Sequence, residues 1–254
     1  MASGTLRNLA ESAFVRTPPT VTDRVLCSLL AERLSSGVVM LPDALAGDGY
    51  AITVCDPTCG EGDLLEPLAR YERAHLFGIE ISAERASTSC RRLPRATIVT
   101  SAFEATRIAP QSLSLVLANP PYMVVNGHRL EYAVIRDAGK ALMPGGVMVA
   151  IVPARQWDAT MVNHWARNYE GVRAWRFADG DPDADEESFA RFTQIVVIGV
   201  RRASELERPD PAIKAAIASW RWRAPDTPGE SPWAGGVEPP VIPDAPIADP
   251  YIVP

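Results

Sequence analysis

The chain has 254 residues, 47% of them hydrophobic, and a formal net charge of −6. That length and apolar content allow one substantial core plus something smaller, while the acidic balance argues against a globally basic nucleic-acid binder and leaves room for a locally basic groove. No apolar run reaches the roughly eighteen residues needed to span a bilayer, and no basic region followed by an apolar stretch marks a secretion signal.

Residues 1–49 form an N-terminal segment in which Thr20–Leu34 reads as an amphipathic helix, broken on its near side by Pro18 and Pro19 and capped by Thr20 and Asp23. From Tyr50 to Ala203 short apolar, β-branched runs alternate with helical patterns, and this is the core. Strands are expected at Tyr50–Asp56, Ala74–Glu80, Ala96–Ser101, Ser112–Ala118, Gly146–Pro153, Gly171–Phe177 and Phe192–Val200. Helices are expected at Asp63–Arg73, Ala83–Arg92, Arg129–Met143 and Asp158–Tyr169. This alternation predicts an α/β fold, a mostly parallel sheet with helices on both faces. Residues 204–254 hold eleven of the 23 prolines and read as a Pro-rich tail or linker, with Ala212–Arg223 able to form a helix or strand.

Ligands of such sheets bind beyond the carboxyl ends of the strands. Two motifs sit there. Asp56-Pro57-Thr58-Cys59-Gly60-Glu61-Gly62 closes the first strand, and Asn119-Pro120-Pro121-Tyr122 follows the fourth. In the first, backbone N–H groups and a helix start near Asp63 converge on a point that can hold a ligand carboxylate. Gly60 and Gly62 permit close backbone approach, and Asp56 can meet an ammonium. Glu80, 24 residues after Asp56, ends the second strand where it can accept hydrogen bonds from ribose hydroxyls. Turn and acid together point to an adenosine-containing ligand, and on their own they equally describe a nucleotide-binding dehydrogenase.

The second motif separates the two. Successive prolines fix an extended backbone and remove two donors. The Pro120 carbonyl and the Asn119 side-chain oxygen can then act as paired acceptors for the two hydrogens of an exocyclic NH₂. Tyr122 offers a flat face for stacking. Cys27, Cys55, Cys59 and Cys90 form no CxxC pair, and His75, His128 and His164 are scattered, so no metal is expected; unpaired thiols suit a reducing cytoplasm.

With these residues in view, the chain resembles the class I S-adenosylmethionine-dependent methyltransferases that methylate amino groups, above all the Taq-type adenine-N6 DNA enzymes, and also a family of small bacterial NPPY methyltransferases. The resemblance covers roughly residues 14–202 and implies a Rossmann-like, seven-stranded core. It places the cofactor on Thr17 and Pro18 of a Thr-Pro-Pro segment, on Asp56 to Gly62, on Glu80 and Ile81, and on Ser101, Ala102, Phe103 and Asn119. It implies Asn119, Pro120, Pro121 and Tyr122 as the catalytic motif, and Tyr122 with Phe189 or Phe192 around the substrate base. One departure is Ser101, where the family usually has an Asp that binds the cofactor's adenine amino group.

The resemblance implies direct transfer from sulfonium to nitrogen, with no cysteine nucleophile and with Cys59 as a packing residue. It implies adenine in DNA as substrate, flipped from the duplex, in a restriction-modification setting. RNA adenine and a protein glutamine amide share the motif, and a non-catalytic methyltransferase-like subunit is the reading from another class. The 51 residues after Ala203 are too few and too Pro-rich for a DNA-reading domain, so recognition is expected from a separate specificity subunit, from further chain, or not at all. Asp179–Asp185 lacks the Gly and Glu of a calcium loop, and Trp220–Arg223 interleaves aromatics with cations as single-strand binders do.

Overall fold

Alternating side chains on seven strands divide the interior into two apolar layers, one on each face of a single sheet. The computed structural model describes residues 50–71, 74–125, 127–176, 194–219, 245–246 and 252–253. The strands are β1 (Tyr50–Asp56), β2 (Ala74–Glu80), β3 (Thr97–Thr100), β4 (Leu113–Ala118), β5 (Leu142–Pro153), β6 (Tyr169–Arg176) and β7 (Gln194–Arg201). They lie in the order β3-β2-β1-β4-β5-β7-β6. Only β7 runs antiparallel to its neighbours in this path; the other pairs are parallel. This is the mostly parallel, Rossmann-like, seven-stranded sheet that was expected.

Ile52 and Val54 of β1 and Leu115 and Leu117 of β4 face one layer, while Cys55, Val116 and Ala118 face the other. That period of two is what a sheet covered on both faces requires. Helices α1 (Ala83–Arg92), α2 (Leu130–Ala141), α3 (Ala159–Asn168) and α4 (Pro211–Ser219) flank the sheet; α2, α3 and α4 bury Ile135, Trp165 and Ile217 in the second layer, while the turns after β1 bury Leu64, Leu65 and Leu68 in the first. Ser82 caps α1, accepting from the Arg85 amide, and Asp158 caps α3, accepting from the Met161 amide at 3.0 Å. Asp210 does the same for α4 through the Ala212 amide at 2.9 Å, and Ile217 of α4 is buried against the layer that holds Trp165 and Tyr169.

One expected element does not form. In place of a helix over Asp63–Arg73 the chain makes turns and a short 3₁₀ segment, Glu66–Leu68; residues 72 and 73 lie outside the described set. Leu64, Leu65 and Leu68 are all buried, so their spacing mimics a helical stripe. Pro67 stands in the middle of it, lacking an N–H and crowding the carbonyl four residues back. The segment is tied instead to α1, because Arg92 donates to the Glu61 carbonyl at 2.9 Å, to Asp63 at 2.7 Å and to Glu66. Arg92 is thus an internal clamp.

Smaller differences are shifts of boundary. β5 begins at Leu142, four residues before the expected Gly146, and β6 begins at Tyr169. The tail meets the core twice, where Ala245–Pro246 pairs with Tyr50–Ala51 and Ile252–Val253 pairs with Arg107–Ile108. Among the described residues no helix is long and apolar enough to cross a membrane, and no group of three or more His, Cys, Asp or Glu could hold a metal ion. The expected helix Thr20–Leu34, the acidic stretch Asp179–Asp185 and the Trp220–Arg223 stretch lie outside the described residues.

Candidate active site

The loop after β1 is folded back over the end of β2. Asp56 accepts from the Thr58 amide at 2.9 Å, the Cys59 amide donates to the Ile79 carbonyl at 2.9 Å, and the Gly60 amide donates to Glu80 Oε2 at 3.0 Å. Gly60 and Gly62 both have positive φ, 53° and 90°. A Cβ on Gly62 would also lie 2.7 Å from Leu93 and 2.8 Å from Ser89, so this glycine lets α1 close onto the loop. Cys59 is buried, with its sulfur where a Cβ on Gly78 would fall, only 2.6 Å away. Burial and the neighbouring Asp56 and Glu80 push the Cys59 thiol up, which keeps it protonated.

Glu80 is almost fully buried and heavily engaged. Its Oε1 accepts from the Ser82 amide at 2.7 Å and from Arg85 through both Nε (3.2 Å) and Nη2 (2.7 Å). Sequence reasoning missed Arg85. Its signal was a cation in the first turn of the helix that follows the acid. Asp56 is also buried, and desolvation first, then the charges of Glu80 and Asp63, push its carboxyl up to about 8 despite the Thr58 hydrogen bond.

After β3, Ser101 donates to the Ala102 carbonyl at 3.2 Å, and Phe103 and Glu104 begin a 3₁₀ turn. Beyond β4, the Thr58 hydroxyl donates to the Asn119 carbonyl at 3.3 Å and so joins the two motifs. The Tyr122 hydroxyl stands within hydrogen-bond reach of Asn119 Oδ1 and, at 3.1 Å, of the Ile151 carbonyl, while Gln194 Nε2 donates to it at 2.8 Å. Its ring packs against the apolar layer that holds Trp165. Gln194 was also missed; it is the polar opening of an otherwise apolar strand.

A cavity at the carboxyl ends of β1, β2 and β4 collects most of the expected residues on one wall. Pro57, Thr58, Glu80, Ile81, Ser101, Ala102, Phe103, Asn119, Pro120 and Pro121 line it, joined by Ile79, Arg85, Glu104, Met123, Leu130 and Val134. Asp56, Cys59, Gly60, Gly62 and Tyr122 lie behind that wall as its support. Thr17, Pro18, Phe189 and Phe192 fall outside the described residues.

The sequence comparison decides the family. A family model described as an uncharacterised methyltransferase family (DUF6094) matches residues 35–219. The chain belongs to this methyltransferase family. The match runs past Ala203 to the end of α4, the helix whose Ile217 is buried in the core. No curated protein matches the sequence.

Solved structures with a similar fold include a TehB-like SAM-dependent methyltransferase from Corynebacterium glutamicum, at 16% identity and TM-score 0.42, covering 73% of this chain and 99% of that one. Thermoplasma acidophilum 1320 is similar at 14% identity and TM-score 0.48, over 80% of this chain and 98% of that one. P. horikoshii TYW2, solved in complex with MeSAdo, is similar at 14% identity and TM-score 0.47, over 75% and 66% of the two chains.

Proposed function

We propose that this family member transfers a methyl group from S-adenosylmethionine to an exocyclic amino nitrogen, with adenine N6 in DNA as the substrate. The observation that carries this reading is that Asn119, Pro120 and Pro121 line the same cavity as Glu80, Ser101 and Phe103. In this reading the acceptor pair for an NH₂ group and the groups suited to an adenosine ligand share one cavity.

The wall fits that cofactor chemically. Glu80 offers a buried carboxylate for hydroxyl donors, and Phe103 offers an aromatic face. When bound, S-adenosylmethionine supplies an electrophilic methyl group on a cationic sulfur. Ser101 and Glu104 line the cavity after β3, where the amino-methyltransferases this chain resembles usually present an Asp. Thr17 and Pro18 complete the methionine side in this proposal, and Phe189 or Phe192 the base side.

The protein's own contribution is positioning. Asn119 Oδ1 and the Pro120 carbonyl hold the two amino hydrogens, which frees the nitrogen lone pair from conjugation with the ring. The Tyr122 hydroxyl has one proton and two acceptors within reach, Asn119 Oδ1 and the Ile151 carbonyl. When a substrate amino group takes Asn119, that proton turns to Ile151 and no buried donor is stranded. Sequence recognition comes from a separate subunit, and the cytoplasm of a restriction-modification host is the setting.

Purified chain incubated with methyl-labelled S-adenosylmethionine tests the substrate class. Label in an adenine-containing duplex and none in an adenine-free duplex supports the proposal. Label confined to RNA or to a glutamine peptide keeps the chemistry and replaces the substrate.

A further inference from the structure

A second cavity lies at the opposite end of the sheet, below α2 and α3. One face of α2 from Tyr132 to Lys140, half of the residues of α3, the first residue of β6, the last of β7 and Glu205 enclose it. Register places it there, because Tyr169 pairs with Arg201 at the edge remote from Pro153 and Gln194. It shares none of its lining with the active-site cavity.

Its walls carry an excess of positive charge. Arg136, Lys140, Arg167 and Arg201 line it, whereas the carboxylates that answer them are Asp137 and Glu205. Asp137 is shared between Arg136 and Lys140, at 2.6 Å from each. Arg201 meets no carboxylate among the described residues; its Nη1 donates to the carbonyl and side-chain oxygens of Asn168.

The floor carries polar groups that are buried without a partner. Tyr169 is fully buried and its hydroxyl has none among the described residues; its approach to α2 depends on Gly139, where a Cβ would lie 2.3 Å from that oxygen. His164 stands between the rings of Tyr132 (5.6 Å) and Tyr169 (6.0 Å), and its Nε2 is buried and equally unpartnered. Asn168 Nδ2 lies 3.4 Å from His164 Nδ1, which assigns Nδ1 as acceptor and Nε2 as the N–H donor. Asn163 Oδ1 is a buried, unpartnered acceptor in the same cavity. Two donors, one acceptor and surplus cations match the oxygens of a hydrogen-bearing oxyanion.

We propose that this cavity binds a small phosphate-type oxyanion, held by Arg136, Lys140, Arg167 and Arg201 and hydrogen-bonded by His164 and Tyr169. The field is already set for it. Burial and then Arg201, Arg136 and Arg167 hold the imidazole of His164 down at about 4, against the opposing charge of Asp137, so it is neutral at pH 7.

Inorganic phosphate is the probe, read by calorimetry and by NMR titration of the His164 ring in the full chain. Saturable binding is expected, with the His164 midpoint moved upward in phosphate. Arg136→Gln and Lys140→Gln change half-exposed or exposed side chains, so their folds are expected to hold, and each weakens phosphate binding about fivefold or more. Asn119→Ala leaves it unchanged. Absence of saturable binding, an unmoved His164, or an affinity unchanged from the parent chain in both α2 variants would overturn the proposal. So would binding of a DNA or RNA oligonucleotide through these residues with no binding of phosphate itself, which would make the face a nucleic-acid contact instead.

Discussion

The side-chain amide of Gln194 donates to the phenolic oxygen of Tyr122 across 2.8 Å, tying the first residue of β7 to the loop that follows β4. Tyr122 in turn reaches Asn119, so a strand edge remote in sequence orients the acceptor proposed to hold the substrate. A buried hydrogen bond of this kind contributes roughly 1 kcal/mol, about a fivefold change in rate if it acts only on positioning. Gln194→Leu is therefore expected to lower kcat about fivefold while leaving the cofactor Kd unchanged. Steady-state kinetics beside calorimetry separates the two quantities, and an unchanged kcat would remove Gln194 from the mechanism.

Arg85 competes with ribose for Glu80. Its guanidinium occupies Glu80 Oε1 twice, and hydroxyl donors must share or displace it. Arg85→Gln is expected to tighten S-adenosylmethionine binding several-fold, on the order of 1 kcal/mol. Weaker binding would mean that the guanidinium itself contacts the ligand.

Ser101 puts a hydroxyl where the amino-methyltransferases this chain resembles usually have a carboxylate. Ser101→Asp is expected to tighten the cofactor by roughly 1–3 kcal/mol, the difference between a neutral and a charge-assisted contact. Glu104→Ala is expected to weaken it, because Glu104 is the acid lining that stretch of wall. No response to either change would place the adenine elsewhere.

Asp56 makes stability depend on pH. Burial pushes its carboxyl up to about 8 in the folded chain, against an ordinary value of 3.8. Between those values the folded state binds more protons than the unfolded state, so this residue's contribution falls as pH rises and levels off above 8. Thermal unfolding from pH 5 to pH 9 should show a smaller decline in Asp56→Asn than in the parent chain. Parallel curves would contradict the assignment.

The strands and both motifs were legible because β-branched runs and Gly-Pro punctuation encode them locally. Asp56 and Asn119 close β1 and β4 as their sequence context implied, and ten of the expected residues meet on one cavity wall. The helix at Asp63–Arg73 was misread because three buried leucines imitate a helical face while Pro67 denies it the hydrogen bonds. Arg85 and Gln194 were invisible for a different reason. Their importance is a matter of which side chain meets which across 5 and 72 positions, and no periodicity records that. The same holds for Gly78, whose missing Cβ makes room for Cys59.

The most direct test of the central claim is mass-spectrometric nucleoside analysis of DNA and RNA from a methylation-deficient host that expresses this chain or its Asn119→Ala variant. N6-methyladenine in the DNA of the first, and at least a hundredfold less in the second, is the expected result for loss of a transition-state acceptor worth about 3 kcal/mol. Equal methylation by the two chains would contradict the assignment of Asn119 as the group that holds the reacting amine.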